Sequence, residues 1–91
     1  MYRKGYRFEL RVKEYLERKG YLVIRSAGSH KPCDLVAIKD GKAILIECKV
    51  NRKNLTKRDR QMLEELRKKY KCKVLLAYRV NKKLFFEEIL G

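Results

Sequence analysis

Two short runs rich in apolar and β-branched residues, residues 33–39 (CDLVAIK) and 42–50 (KAILIECKV), are separated only by Asp40 and Gly41. An Asp-Gly pair in that setting signals an antiparallel hairpin closed by a two-residue turn. No other feature constrains the chain as tightly. Pairing across the turn matches residues whose numbers sum to about 81, and because side chains alternate between faces, the turn also decides which residues share a face. In the second run Ile44, Ile46, Cys48 and Val50 line one face, and Leu45, Glu47 and Lys49 the other. Apolar residues on both faces mark a strand in the middle of its sheet. Charges leaving such a strand must be paired, metal-bound or sited at a cleft, since an isolated buried charge costs several kcal/mol.

The rest of the chain arranges itself around this hairpin. From about residue 4 to 19, Phe8, Val12, Tyr15 and Leu16 recur at helical spacing and Gly20 ends the helix. Residues 21–26 (YLVIRS) read as a strand, and residues 27–32 as a loop. After a polar loop at 51–55, Thr56 can cap a second helix with Asp59 three residues on. The apolar stripe expected for that helix is Met62, Leu63, Leu66 and Tyr70, with a Glu64–Lys68 pair outside it. Residues 72–79 and 83–88 read as two further strands around a turn at Asn81. The predicted order is αβββαββ: one α/β domain over residues 1–91, with helices packed on a mixed five-stranded sheet.

The composition narrows the partners. With 25 Lys and Arg against 11 Asp and Glu, the 91 residues carry a formal charge of +14. A polyanion is the first partner to expect, because neutralising phosphates releases condensed counterions. A membrane surface competes less well, since the helices need their apolar stripes for the core. No run approaches the roughly 18 apolar residues needed to cross a bilayer, and no apolar signal region follows the N-terminal charges. The expectation is a soluble, cytoplasmic protein. Cys33, Cys48 and Cys72, odd in number and without a C-x-x-C pair, read as small buried hydrophobes and not as a disulfide or zinc framework.

Asp34 and Glu47 satisfy the hairpin sum and should face one another on one side of the sheet. Two carboxylates so close raise one another's proton affinity unless a cation sits between them. A hard divalent ion such as Mg²⁺ would relieve the repulsion. Glu9, at the flank of the first helix's stripe, is a candidate third acid. Blander roles exist: a surface pair with Lys13 for Glu9, a strand-entry position for Asp34, and a cross-strand ion pair for Glu47 and Lys49.

Asp34 followed by Glu47-Cys48-Lys49 resembles the D…E-x-K core of the restriction-endonuclease-like nucleases, whose αβββαβ order also agrees. More specifically, Tyr2-Arg3-Lys4-Gly5 with Glu9, Val23-Ile24-Arg25-Ser26-Ala27-Gly28-Ser29, Asp34-Leu35-Val36-Ala37 and Ile46-Glu47-Cys48-Lys49-Val50 are similar to the archaeal Holliday junction resolvases. The likeness is close over residues 1–50, looser over 57–79, and fades beyond Arg79; Leu10 stands where that family usually has arginine. The resemblance implies a Mg²⁺-dependent, homodimeric endonuclease of DNA recombination and repair, associated with the nucleoid, with Mn²⁺ able to substitute. It would nick two strands of a four-way junction symmetrically. Glu9, Asp34 and Glu47 would hold the metal, Lys49 would orient the attacking water, and Arg25 and Ser29 would assist. The loop at 27–32 would close over DNA.

Arg3, Lys4, Arg7, Arg11, Arg25, Lys31, Arg52, Lys53, Lys57, Arg58 and Arg60 flank the proposed site and would form a DNA track that reads backbone shape. His30 lacks a visible partner for acid–base work and is at most a phosphate contact. Tyr6 and Leu10 form a small apolar patch apart from the core, available to a dimer contact. Two other readings stay open: a nuclease for other branched, nicked or damaged DNA, and a non-catalytic basic module whose carboxylates are structural.

Overall fold

The computed structural model of the protein describes residues 3–27 and 31–91, with side chains described from Gly5 onward. The elements follow the predicted order: α1 (Arg3–Arg18), β1 (Leu22–Arg25), β2 (Leu35–Lys39), β3 (Lys42–Cys48), a 3-10 turn (Arg52–Asn54), α2 (Lys57–Tyr70), β4 (Lys73–Val80) and β5 (Lys83–Glu88). The sheet order is β1-β2-β3-β4-β5, which puts β3 in the centre as its two-sided apolar pattern requires. All neighbours are antiparallel except β3 and β4. That parallel pair makes the sheet mixed, and the crossover between its strands carries α2.

The β2–β3 register runs from Leu35 opposite Ile46 to Lys39 opposite Lys42, so every pair satisfies the hairpin sum. Asp40 (φ 53°) and Gly41 (φ 76°) both take the positive φ that a tight hairpin turn demands. The β4–β5 turn uses Asn81 (φ 49°) and Lys82 (φ 69°) for the same purpose. Several strands are shorter than predicted. Cys33 and Asp34 bend out of strand geometry, although the Asp34 N–H still donates to the Ile46 carbonyl (3.0 Å) and its own carbonyl accepts from Ser26 (2.9 Å). At the far end of β3, Lys49 continues the pairing by donating its N–H to Ala77 (2.9 Å).

The sheet carries a core on each face. Under α1 lie Phe8, Val12, Leu16, Val23, Leu35, Ala37, Ile46 and Ala77, with Ile44, Cys48 and Val50 packed against them. Under α2 lie Leu63, Val74, Leu76 and Ile89, with Leu45 and Leu66 beside them. The α2 stripe is narrower than its sequence suggests: Met62 and Tyr70 are exposed. The helix rests on β4 through Leu63, and Ile89, from the segment after β5, fills space that a wider stripe would need. Glu64 pairs with Arg60 (3.4 Å), one turn before it, and not with Lys68 as predicted. All three cysteines are free thiols; Cys33 is buried, but Cys48 and Cys72 are half-buried, so Cys72 is no core residue. Among the described residues no helix is long and apolar enough to cross a membrane.

Candidate active site

The N-terminal lip of β2 and the C-terminal end of β3 meet at one end of the sheet. Asp34, 6% exposed, turns back across the lip. Its Oδ2 accepts the Cys48 N–H (2.8 Å), which the ladder leaves unpaired where β3 ends. That bond explains how a carboxylate can be buried here: a charged acceptor satisfies a backbone donor. Glu47 projects from the same face of the sheet as Leu45. Burial, and then the negative charge of Asp34, raise its carboxyl to about 7, while Lys49 works in the opposite direction. The two carboxyls line the same hollow.

Lys49 Nζ lies 3.8 Å from Glu47 and 3.8 Å from Asp59. Asp59 belongs to the α2 N-terminus, where a reciprocal capping box forms: Asp59 N–H donates to Thr56 Oγ1 (3.0 Å) and Thr56 N–H donates to Asp59 Oδ2 (3.1 Å). The Thr56 N–H bond above all holds the Asp59 carboxyl below its usual range. The cap predicted from Thr56 thus has a second effect: it aims a carboxylate at the ammonium of the E-x-K segment. Asp34, Glu47 and Asp59 line a hollow of about 210 Å³ with Lys31, Pro32, Met62 and Leu63.

Glu9 reaches this cluster from the α1 side. Its Oε1 accepts from Arg25 Nε (2.9 Å), and Oε2 lies 3.8 Å from Lys31 Nζ. Lys31 in turn touches Asp34 Oδ1 at 2.7 Å, a contact that raises the affinity of its ammonium for its proton. Glu9 is therefore no partner of Lys13, which is taken by Glu17 (2.8 Å). Arg25 also lies over the Tyr6 ring, 4.6 Å from its centre. Among the described residues no three carboxylate, imidazole or thiol groups stand grouped as the ligands of an ion. Asp34, Glu47, Lys49 and Asp59 are together; Glu9 and Arg25 are linked to them through Lys31.

The proposed DNA track divides. Lys53, Lys57 and Arg58 are exposed, in the turn before α2 and in its first turn, and Arg7 and Arg11 line a separate hollow with Phe8 and Arg79. Arg11 also donates to the Lys82 carbonyl (2.7 Å). Arg52 and Arg60 converge on Glu87 of β5, at 2.6 Å and 3.4 Å, and Arg52 above all holds the Glu87 carboxyl below its usual range. Ser29 and His30, and the side chains of Arg3 and Lys4, lie outside the described residues. A larger hollow of about 590 Å³ opens at the opposite end of the sheet, among Tyr21, Lys39, Lys42, Lys71 and Cys72. Its one carboxylate is Asp40, in the hairpin turn, so it lacks the paired acids that mark the smaller hollow.

Sequence comparison decides the family: the profile of the archaeal Holliday junction resolvases (Hjc) matches residues 1–90. The chain belongs to this family. The crossover junction endodeoxyribonuclease Hjc of Methanocaldococcus jannaschii is 39% identical over 88 residues, covering 93% of this chain and 65% of the relative. The chain thus spans just under two thirds of that relative's length. Among solved structures, Archaeoglobus fulgidus Hjc, a Holliday junction resolvase from an archaeal hyperthermophile, superposes with a TM-score of 0.75 at 23% identity, over 94% of this chain and 73% of that one. The shared fold of this resolvase-family chain is the mixed five-stranded sheet with a helix on each face.

Lys31 and Asp59 are the partners of the acids that sequence reasoning did not assign. Lys31 stands three residues before Asp34, and the sequence offers Asp59 as a helix cap and as part of the looser family likeness over 57–79. The spacing alone carries a faint signal for the first and none for the second.

Proposed function

We propose that this chain is a Mg²⁺-dependent endodeoxyribonuclease that acts as a homodimer and resolves four-way DNA junctions by paired symmetric nicks. The reading rests on family membership and, above all, on one observation: two carboxyls, Asp34 and Glu47, line one hollow beside Lys49, where burial first and the charge of Asp34 second raise Glu47 to about 7. Such a pair suits a hard divalent cation, which takes carboxylate oxygens. Glu9, Asp34 and Glu47 would hold it, with Glu9 giving up its contact to Lys31. When bound, the ion would supply a hydrolytic nucleophile and charge stabilisation at the scissile phosphate.

The chain's own side chains do the rest. Lys49, steadied by Asp59, presents an ammonium to the negative charge that develops on the phosphate. Arg25 orients Glu9, and Ser29 would assist from the adjoining loop. Lys53, Lys57 and Arg58 would grip phosphates flanking the cut, fixing position without reading bases. A four-way junction has two equivalent strands to cut, which calls for two sites. Leu22 and Ile24 on β1 stand exposed on the α2 side of the sheet, with Met62 on α2, and give a second copy an apolar surface to cover.

The test is nicking of a labelled four-way junction with and without Mg²⁺, beside matched flap and linear DNA. The expected result is junction cutting with Mg²⁺ only, and none by Glu47→Gln, which should still bind. Equal cutting of linear DNA removes junction selectivity, and an inert wild type that binds tightly favours a non-catalytic module. Sedimentation supplies the oligomeric state.

A further inference from the structure

Lys31 holds a position that the hydrolytic chemistry does not require. Its ammonium lies 2.7 Å from Asp34 Oδ1 and 3.8 Å from Glu9 Oε2, bridging a carboxylate of α1 and one at the entry to β2. The other Glu9 oxygen is taken by Arg25. Lys49 is placed differently, at 3.8 Å from each of its acidic neighbours, Glu47 and Asp59. The local chain explains why Lys31 stays put. The residue before a proline is confined to extended backbone, so Pro32 limits how Lys31 can turn. Cys33 is buried immediately afterwards and the Asp34 N–H is tied to β3.

We propose that Lys31 is an internal counter-ion of the acidic cluster: its ammonium fills the charge position that a divalent cation takes in the working enzyme, so metal binding is an exchange of cations. This rests on the reading that Glu9, Asp34 and Glu47 hold such an ion. A carboxylate as buried as Asp34 cannot stand uncompensated beside a second one. Lys31 supplies the compensation and lets the site fold without metal. An incoming ion must displace it, so Lys31 weakens the apparent metal affinity and sets the concentration at which the site fills. The displaced ammonium remains on a short tether beside the hollow, where a DNA phosphate would meet it. The same side chain thus serves the acids first and the substrate second.

The exchange is tested on the full chain without DNA, by calorimetric titration with Mn²⁺ and by thermal melts with and without it. Lys31→Met should bind Mn²⁺ about tenfold more tightly than wild type, the order expected on deleting one positive charge a few ångströms from a divalent ion in a partly hydrated site. Lys31→Arg, which keeps the charge, should stay near wild type. In melts, Lys31→Met should lose stability in EDTA and regain more than wild type on adding Mn²⁺. If Lys31→Met needs Mn²⁺ to fold, Lys31→Gln gives the same reading, because it keeps a donor for Asp34 without the charge. An uncharged variant that is folded and binds Mn²⁺ no more tightly than wild type overturns the exchange while leaving the metal centre standing. A Lys31→Arg variant that gains as much as Lys31→Met also overturns it. If neither wild type nor variant binds Mn²⁺, the metal centre itself is refuted, and the exchange with it.

Discussion

Replacing Glu47 with glutamine should stabilise the metal-free protein at pH 8 and have little effect at pH 4.5. The folded chain holds the Glu47 carboxyl at about 7, against an ordinary value of 4.5, through burial first and Asp34 second. Below 4.5 the group is protonated whether the chain is folded or not, and it contributes no difference. Between 4.5 and about 7 the unfolded chain has released this proton while the folded chain still holds it, so wild-type stability falls by about 1.4 kcal/mol per pH unit. Above 7 the loss is complete, at about 3 kcal/mol. The side chain keeps 21% of its surface in water, and that screening brings the figure nearer 2 kcal/mol. Glutamine removes the charge, keeps the volume and offers Asp34 a permanent N–H donor. For a domain of this size the gain corresponds to roughly 10 °C in Tm. The assay is a set of circular-dichroism melts in EDTA at pH 4.5, 6 and 8, comparing the two proteins at each pH. A difference that does not grow with pH, or a variant less stable than wild type at pH 8, would refute the electrostatic account. Adding Mg²⁺ at pH 8 should shrink or reverse the advantage, since only the wild type keeps its full set of acids for the ion.

Three further outcomes test the fold. Thr56→Ala should cost about 1 kcal/mol in urea denaturation, through loss of the bond to the Asp59 N–H. Lys82→Gly should raise the unfolding free energy by about 0.5 to 1 kcal/mol, because Lys82 holds φ 69° in a turn where glycine is unstrained; a loss would mean that the Lys82 side chain contributes more than the backbone strain costs. Ile46→Ala, at a fully buried position of the central strand, should cost about 2 to 5 kcal/mol by the same measurement.

The centre of this fold is written in its local pattern. Asp40-Gly41 sets a two-residue turn, the alternation in residues 42–50 places β3 between two layers, and the register they fix, which ends at Leu35 opposite Ile46, leaves Asp34 and Glu47 lining one hollow. These are short-range facts that the chain states within about fifteen residues. What escapes such reading depends on how layers dock. The Glu9–Arg25 bond requires α1 to lie on β1, and the Lys49–Asp59 contact requires the crossover helix to land on β4 with its N-terminus over the end of β3. Arg52 and Arg60 look like free cations in the sequence, yet both are engaged by Glu87 from a strand far along the chain. Met62 and Tyr70 keep helical spacing with Leu63 and Leu66, but the floor beneath α2 is too narrow to cover them.

The single parallel junction of the sheet has a kinetic meaning. The β2–β3 and β4–β5 ribbons close through two-residue turns and can form on the microsecond scale of isolated hairpins. Joining β3 to β4 instead requires the chain from Cys48 to Lys73 to loop over and deposit its helix, a non-local step whose entropy is lost before any contact rewards it. The seam between the ribbons, running from Ile44–Lys73 to the Arg79–Val50 bond, should therefore zip late, and mutations along it should speed unfolding more than they slow folding. Since Lys49 sits near the end of that seam, its ammonium meets Asp59 of the crossover helix only when the two halves have joined, so a half-assembled chain would carry Glu47 and Lys49 without that third charge.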